Sequence, residues 1–220
     1  MNFDRVANHY YWLETLAFGS ALQRARTHWL EKLTRPNRAL IVGEGNGRFL
    51  CELLRVHPKI EIDCLDASGR MLRLAEKRLR RKIPKALSQV RFLHQDVRTW
   101  PAPIATYDLV VSHFFLDCYE ELEIAAIVRK LATATTRSAA WLIADFCLPP
   151  QRLAQVHARL WLSLMYRFFR TFTGIPGRRL IDPAPFLKEN GFERVGSHHL
   201  RFGMVKSEIW LNKSPPRSRR

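Results

Sequence analysis

The stretch that most restricts what this chain can fold into is Arg38 to Leu50, RALIVGEGNGRFL. Ala39-Leu40-Ile41-Val42 is an unbroken apolar run, which suits a strand buried on both faces of a parallel sheet. Gly43-Glu44-Gly45-Asn46-Gly47 is a glycine-dense turn, and from Arg48 the pattern becomes helical, with Phe49, Leu50, Leu53 and Leu54 on one side. Strand, glycine turn and helix make the first unit of a nucleotide-type α/β domain. The spacing is not the dinucleotide one. Counted from Gly43 the third glycine falls on Arg48, and counted from Gly45 it falls on Leu50. No Gly-Lys-Ser/Thr follows, so a phosphate loop is excluded too. What stands is G-x-G-x-G with an acid, Glu44, inside the turn. An acid there repels a pyrophosphate and pairs with a ligand ammonium. That favours a cofactor with an amino-acid end and no phosphate.

GEGNGRFL resembles the first motif of the class I S-adenosylmethionine-dependent methyltransferases, whose cofactor, S-adenosyl-L-methionine, has that description. The next stretch agrees. Ile60 to Leu65 reads as a strand with Asp66-Ala67-Ser68 at its end, and SGRMLRLAEKRL is similar to the family's D-x-S-x-x-M-L-x-x-A. The resemblance implies that Asp66 bonds the two ribose hydroxyls. It also implies cofactor contacts from Glu44, Gly45, Gly47, Ala67 and Met71. Val90 to His94 reads as the third strand, followed by Gln95-Asp96-Val97. Here the resemblance makes Asp96 the acceptor for the adenine amino group, with Val97 beside it. Tyr107 to His113 resembles the fourth motif, Y-D-x-V-x-x, with the strand over Leu109 to Ser112 and Ser112 as a further cofactor contact. Residues 113–119 then lie at the carboxyl end of the sheet, where open α/β folds bind ligands. The opening FDRVANHYY resembles the F-D-x-x-A-x-x-Y-D start of the ubiquinone and menaquinone biosynthesis type. Phe3, Asp4, Ala7 and Tyr10 match, and Tyr11 stands where that group has an acid. In that group the segment folds over the cofactor, which makes Tyr10 a candidate contact.

The expected fold is therefore α/β, a Rossmann-like three-layer sandwich. Its seven-stranded, mostly parallel sheet has the order 3-2-1-4-5-7-6, with the last strand antiparallel. The expected organisation is a single methyltransferase domain over 1–212, with an N-terminal helical cap at 1–35, a lid helix and loop at 149–181, and a disordered basic tail at 213–220. Helices are expected from Arg48 to His57, from a Ser68 cap to Lys82, and from Glu120 to Ala134. The fifth strand is expected over Ala139 to Phe146. A short helix capped by Asp182 closes at Asn190-Gly191. A hairpin follows, Phe192 to Phe202 and Met204 to Leu211. Between strand and short helix, Leu153, Val156, Leu160, Leu164, Phe168 and Phe172 recur at the helical period, with arginines on the other side. That helix packs on the sheet, covers the substrate, or lies on a membrane surface.

Charge bears on partners. Lys and Arg total 36 against 20 Asp and Glu, a net +16. Such a balance attracts an anionic membrane surface, RNA or an acidic substrate, or is a solvated basic surface. The helix after Ser68 carries much of it, in Arg70, Arg73, Lys77, Arg78, Arg80, Arg81 and Lys82. The four cysteines show no C-x-x-C spacing, so neither zinc nor a disulfide framework is expected. MNFDRVANHYYW is no leader peptide, and no run of 18 apolar residues occurs. A cytoplasmic location follows, with peripheral attachment to a membrane as its variant.

The resemblance also excludes some chemistry. There is no Asn/Asp-Pro-Pro-Tyr/Phe for adenine amino methylation in DNA, and no Pro-Cys pair for cytosine C5 methylation. The expected activity is methyl transfer to a small-molecule or lipid-like acceptor. RNA methylation and a non-catalytic interaction module are the alternatives. Transfer needs the nucleophile held in line with the methyl carbon, and a base only where the acceptor loses a proton. His113 and Asp117 are the candidate catalytic residues, with His9 a third if the N-terminal segment closes over the site. His113 alternatively lines the pocket. No metal is expected: His198 and His199, adjacent on a strand, point to opposite faces.

Overall fold

The computed structural model describes residues 20–149 and 180–213. The elements in chain order are α1 (Ala21–Thr27), β1 (Arg38–Val42), α2 (Arg48–Val56), β2 (Glu61–Asp66), α3 (Gly69–Lys82), β3 (Val90–His94), β4 (Tyr107–His113), α4 (Glu121–Ala134), β5 (Thr135–Phe146), α5 (Ala184–Glu189), β6 (Phe192–Leu200) and β7 (Val205–Asn212). Seven strands form one sheet in the order β3-β2-β1-β4-β5-β7-β6. β7 runs antiparallel to both β5 and β6, and the remaining pairs are parallel. This is the expected topology. The expected N-terminal cap up to Gly19, the helix with the period Leu153 to Phe172, and the tail beyond Lys213 lie outside the described residues.

Alternation along the strands builds the three layers. In β1, Ala39 and Ile41 point into a core with Phe49, Leu50, Leu53 and Leu54 of α2 and Leu72 and Leu79 of α3. Leu40 and Val42 point the other way, into a core with Ile124, Ile127, Val128 and Leu131 of α4 and Leu187 of α5. A central strand must therefore be apolar at every position, which is why ALIV reads without a polar break.

Asp63 of β2 is buried, and it ties four strands together near their amino ends. It accepts from Arg91 of β3 and, at 2.6 Å, from the Tyr107 hydroxyl of β4, and it pairs with Arg38 of β1 at 3.6 Å. Burial pushes its pKa up. The bonds from Arg91 and Tyr107, with the charges of Arg91 and Arg38, outweigh that and hold it below the usual carboxylate value.

Boundaries differ from expectation in several places: β4 starts at Tyr107, β6 ends at Leu200 and β7 spans Val205–Asn212. β4 extends to His113, so that residue ends the strand instead of following it. β5 begins at Thr135, directly off α4 and four residues before the apolar run. Its first residues are held by pairing of Thr135 with Tyr107 and by bonds from the Asn212 amide to Thr135 and Thr136. α5 begins at Ala184; the Asp182 carboxylate accepts the Ala184 N–H at 3.3 Å and also receives Lys206 Nζ at 2.8 Å.

Candidate active site

The carboxyl ends of β1, β2, β3 and β4 open into a cleft of about 830 Å³, counting the solvent at its mouth. Its lining includes Glu44 and Gly45 after β1, Asp66 ending β2 with Ala67 next to it, Met71 of α3, Asp96 after β3, and His113 ending β4. Six of the cofactor residues expected from sequence thus surround one space.

Each is placed by local backbone chemistry. Gly43, Gly45 and Gly47 all have positive φ, between 69° and 79°. The three glycines then part in function. A Cβ on Gly43 would strike the Phe115 ring at 2.4 Å, and one on Gly47 would strike the Ala75 backbone of α3 at 2.7 Å. At Gly45 an added Cβ would meet nothing within 4 Å. Gly47 is therefore a packing glycine and does not line the cleft, whereas Gly45 leaves room for a ligand to approach the backbone. The Glu44 carboxylate accepts the Leu50 N–H at 3.0 Å, and burial, opposed by that bond and by the Arg26 charge, pushes it up to about 7. Asp66 accepts the Ser68 N–H at 2.8 Å and faces the Gly45 N–H at 3.5 Å. Ser68 in turn caps α3 by accepting from the Met71 N–H. Asp96 accepts from the Arg98 guanidinium and backbone, which hold it ionised below the ordinary carboxyl range.

Other expected residues lie elsewhere. Val97 is buried in the core beside α4. Ser112 is interior, its hydroxyl accepting from Trp141 Nε1 at 2.9 Å. Asp117 is buried behind the lining, where its carboxylate receives the Cys118 thiol. Tyr10 and His9 lie outside the described residues. His113 does reach the cleft. Its ring stands edge-on to Phe49 at 4.6 Å, and its buried Nδ1 has no partner. Burial, then the Arg26 charge, lowers its pKa well below the usual value, so the imidazole is neutral at physiological pH. Among the described residues no group of three His, Cys, Asp or Glu is arranged to hold a metal ion, and no helix is long and apolar enough to cross a membrane.

Several lining residues were not legible from motifs: Arg26, Asn46, Phe114, Phe115, Cys118 and Tyr119. The strand-end position of residues 113–119 was the available signal for four of them. Phe114 takes a left-handed φ of 51°, with its N–H bonded to Ala144 O at 2.7 Å. Arg26 comes from α1 and has no motif.

The donor set fits a zwitterionic nucleoside. Glu44 suits an ammonium, Asp66 a pair of vicinal hydroxyls, and Asp96, whose two oxygens Arg98 already engages through its backbone N–H, Nε and Nη2, an amino group. Apolar Met71, Phe115 and Tyr119 flank the polar groups.

Comparison with known proteins agrees. A family model described as a methyltransferase domain matches residues 39–137. A malonyl-[acyl-carrier protein] O-methyltransferase of Paenibacillus sp. (strain JDR-2) is 36% identical over 84 residues, which are 37% of this chain and 29% of that protein. The match thus spans under a third of that relative's length. An O-methyltransferase family 2 protein from Planctomyces limnophilus DSM 3776, solved in complex with apigenin, superposes with a TM-score of 0.70 at 14% identity, covering 93% of this chain and 61% of that one. Magnesium protoporphyrin IX methyltransferase from Synechocystis PCC 6803, solved with bound SAH, superposes at 0.61 with 18% identity, covering 87% and 81%. At these identities the two structures share the fold.

Proposed function

This chain carries, over residues 39–137, the methyltransferase domain of the class I S-adenosylmethionine-dependent enzymes, and from that premise we propose that it methylates an oxygen of a small-molecule or lipid-like acceptor already anionic at neutral pH. The observation that carries the reading is the convergence of Glu44, Asp66 and Asp96 on one cleft around the open Gly45 backbone. When bound there, S-adenosylmethionine supplies a methyl carbon on a sulfonium leaving group. In this reading Glu44 holds the ammonium, Asp66 the ribose hydroxyls and Asp96 the adenine amino group.

The acceptor follows from the described residues: with Glu44 engaged by the cofactor's ammonium, no other lining group described there is a base near neutrality. A phenol or enol needs a base with a pKa near the working pH. His113 is held neutral and weakly basic, and Asp117 stands behind the lining. An acceptor already ionised, such as a carboxylate, needs neither. The net charge of +16 favours its approach. The relative's name, which specifies O-methylation on a malonyl carrier, supports an oxygen acceptor of this kind.

The test is transfer of labelled methyl from S-adenosylmethionine into separated small-molecule, lipid and RNA pools. The expected product is base-labile label, a methyl ester, in an acidic small molecule or lipid. Label in RNA, or base-stable label alone, would overturn the acceptor class. Failure to bind S-adenosylmethionine in calorimetry would overturn the whole reading.

A further inference from the structure

We infer that Arg26 is the carboxylate half of a clamp whose ammonium half is Glu44, so that the cleft selects ligands with an intact α-amino-acid end. The inference rests on the reading of the cleft as the S-adenosylmethionine site.

Arg26 is brought to the cleft by α1, a short helix packed on the sheet. Leu22 and Ala25 of α1 are buried against Ala144, Phe146 and Val205 at the ends of β5 and β7. The Ser207 hydroxyl of β7 donates to the Ala25 carbonyl at 2.6 Å, fixing the backbone next to Arg26. The guanidinium carbon then sits 5.0 Å from the centre of the Phe114 ring, a cation–π contact. Phe114 is itself set by its left-handed backbone and by a tilted ring contact with Phe146, centres 5.0 Å apart. The position of Arg26 is thus specified from two sides.

Its charge is felt by two cleft groups. It shares the cleft lining with Glu44 and His113, and it lowers the pKa of both. Asp66 and Asp96, two acids, line the same cleft. One acid and one guanidinium lining the same cleft complement an ammonium and a carboxylate borne on a single carbon. The planar guanidinium suits a carboxylate better than an ammonium side chain does, because it offers two parallel donors. An acceptor carboxylate has the same chemistry as the cofactor's, and the two sources are separated by the choice of ligand.

The experiment is calorimetry on the full chain with two stable ligands, S-adenosylhomocysteine, which keeps the amino-acid end, and 5′-methylthioadenosine, which lacks it. Arg26→Ala is expected to weaken S-adenosylhomocysteine by about 10- to 100-fold, the range for a lost bond to a charged group, and to leave 5′-methylthioadenosine unchanged. Arg26→Lys is expected to recover part of the loss. Equal weakening of both ligands would reduce Arg26 to a packing role and overturn the clamp. Unchanged S-adenosylhomocysteine binding with a raised KM for the acceptor would move Arg26 to the acceptor and also overturn it. If the unmodified protein bound neither ligand, the cofactor reading and the clamp would fall together, whereas binding of both ligands with no Arg26 effect would remove the clamp alone.

Discussion

The Glu44 carboxylate accepts the Leu50 backbone N–H at 3.0 Å, across the glycine turn that separates them. Gly47, the residue preceding α2, offers no side chain to cap the helix. Glu44 therefore satisfies one of the free N–H groups of the first turn from three residues further back. The same side chain lines the cleft. Helix capping and ligand contact are thus joined in one residue, and replacing it disturbs both.

That dual role has a pH signature. Without ligand, burial leaves Glu44 with a pKa of about 7. A raised carboxyl pKa means the folded state holds its proton more tightly than the unfolded chain. Its contribution to stability is therefore present at low pH and declines as pH rises through about 7. A bound ammonium reverses the preference, because it favours the carboxylate. Affinity for S-adenosylhomocysteine should then fall by up to about tenfold per pH unit below that value. In Glu44→Gln the affinity should be lower and this pH dependence absent. Calorimetry at several pH values checks both, and a flat profile for the unmodified protein would remove Glu44 from the ammonium contact.

Gly45 and Gly47 should separate binding from stability. Alanine at Gly47 meets the Ala75 backbone as well as an unfavourable φ of 79°, and should cost roughly 2–4 kcal/mol by adding overpacking to backbone strain. Alanine at Gly45 carries only the strain of φ 70°, about 1 kcal/mol, but its methyl occupies the space beside the ligand backbone contact. Gly45→Ala should lose ligand affinity by tenfold or more while unfolding as cooperatively as the parent. Urea unfolding and calorimetry on the pair decide it. Similar stability losses in the two variants would contradict the division.

Asp63 gives the complementary case, a change of stability that leaves the cleft alone. Its partners Arg38, Arg91 and Tyr107 lie toward the amino ends of their strands, away from the ligand. Asp63→Asn should destabilise by about 1–3 kcal/mol, moderated because both arginines reach solvent. Because its folded pKa is depressed, the stability it contributes is present above the unfolded carboxyl value and is lost as pH falls through the folded one. The variant should show a weaker acid dependence of unfolding and unchanged affinity for S-adenosylhomocysteine. A loss of affinity would mean that the two ends of the sheet are coupled.

The parts of this architecture that sequence discloses are those set by local chemistry. The run ALIV, Gly45, the Ser68 cap, Asp66 ending β2 and Asp96 just after β3 each have a signature within a few residues and take the expected places, whereas Gly47, expected against the ligand, packs on Ala75. What sequence hides is set by pairing at a distance. Thr135 to Ser138 have no apolar alternation, yet β4 and Asn212 hold their first residues in the sheet. Ser112 follows an apolar run as a ligand residue would, but Trp141, 29 positions on, takes its hydroxyl. Arg26 is one cation among 36 lysines and arginines, and only the packing of α1 on β5 and β7 singles it out.

His113 is the residue on which the choice of acceptor turns. A general base contributes about 10²- to 10⁴-fold to rate, and its pKa appears as a limb in the pH profile. Burial among Phe49 and its neighbours holds His113 neutral and weakly basic, with Nδ1 unpartnered at the cleft wall. If the acceptor arrives ionised, His113→Asn should slow labelled methyl transfer by less than about tenfold, and the rate should stay flat between about pH 6 and 8 in both proteins once affinity is saturated. Saturation matters, because the Glu44 titration near 7 enters through ligand binding and disappears from the rate at excess ligand. A loss of a hundredfold or more in the variant, with a neutral-pH limb in the parent that the substitution abolishes, would make His113 the base and turn the acceptor from a carboxylate into a phenol or enol.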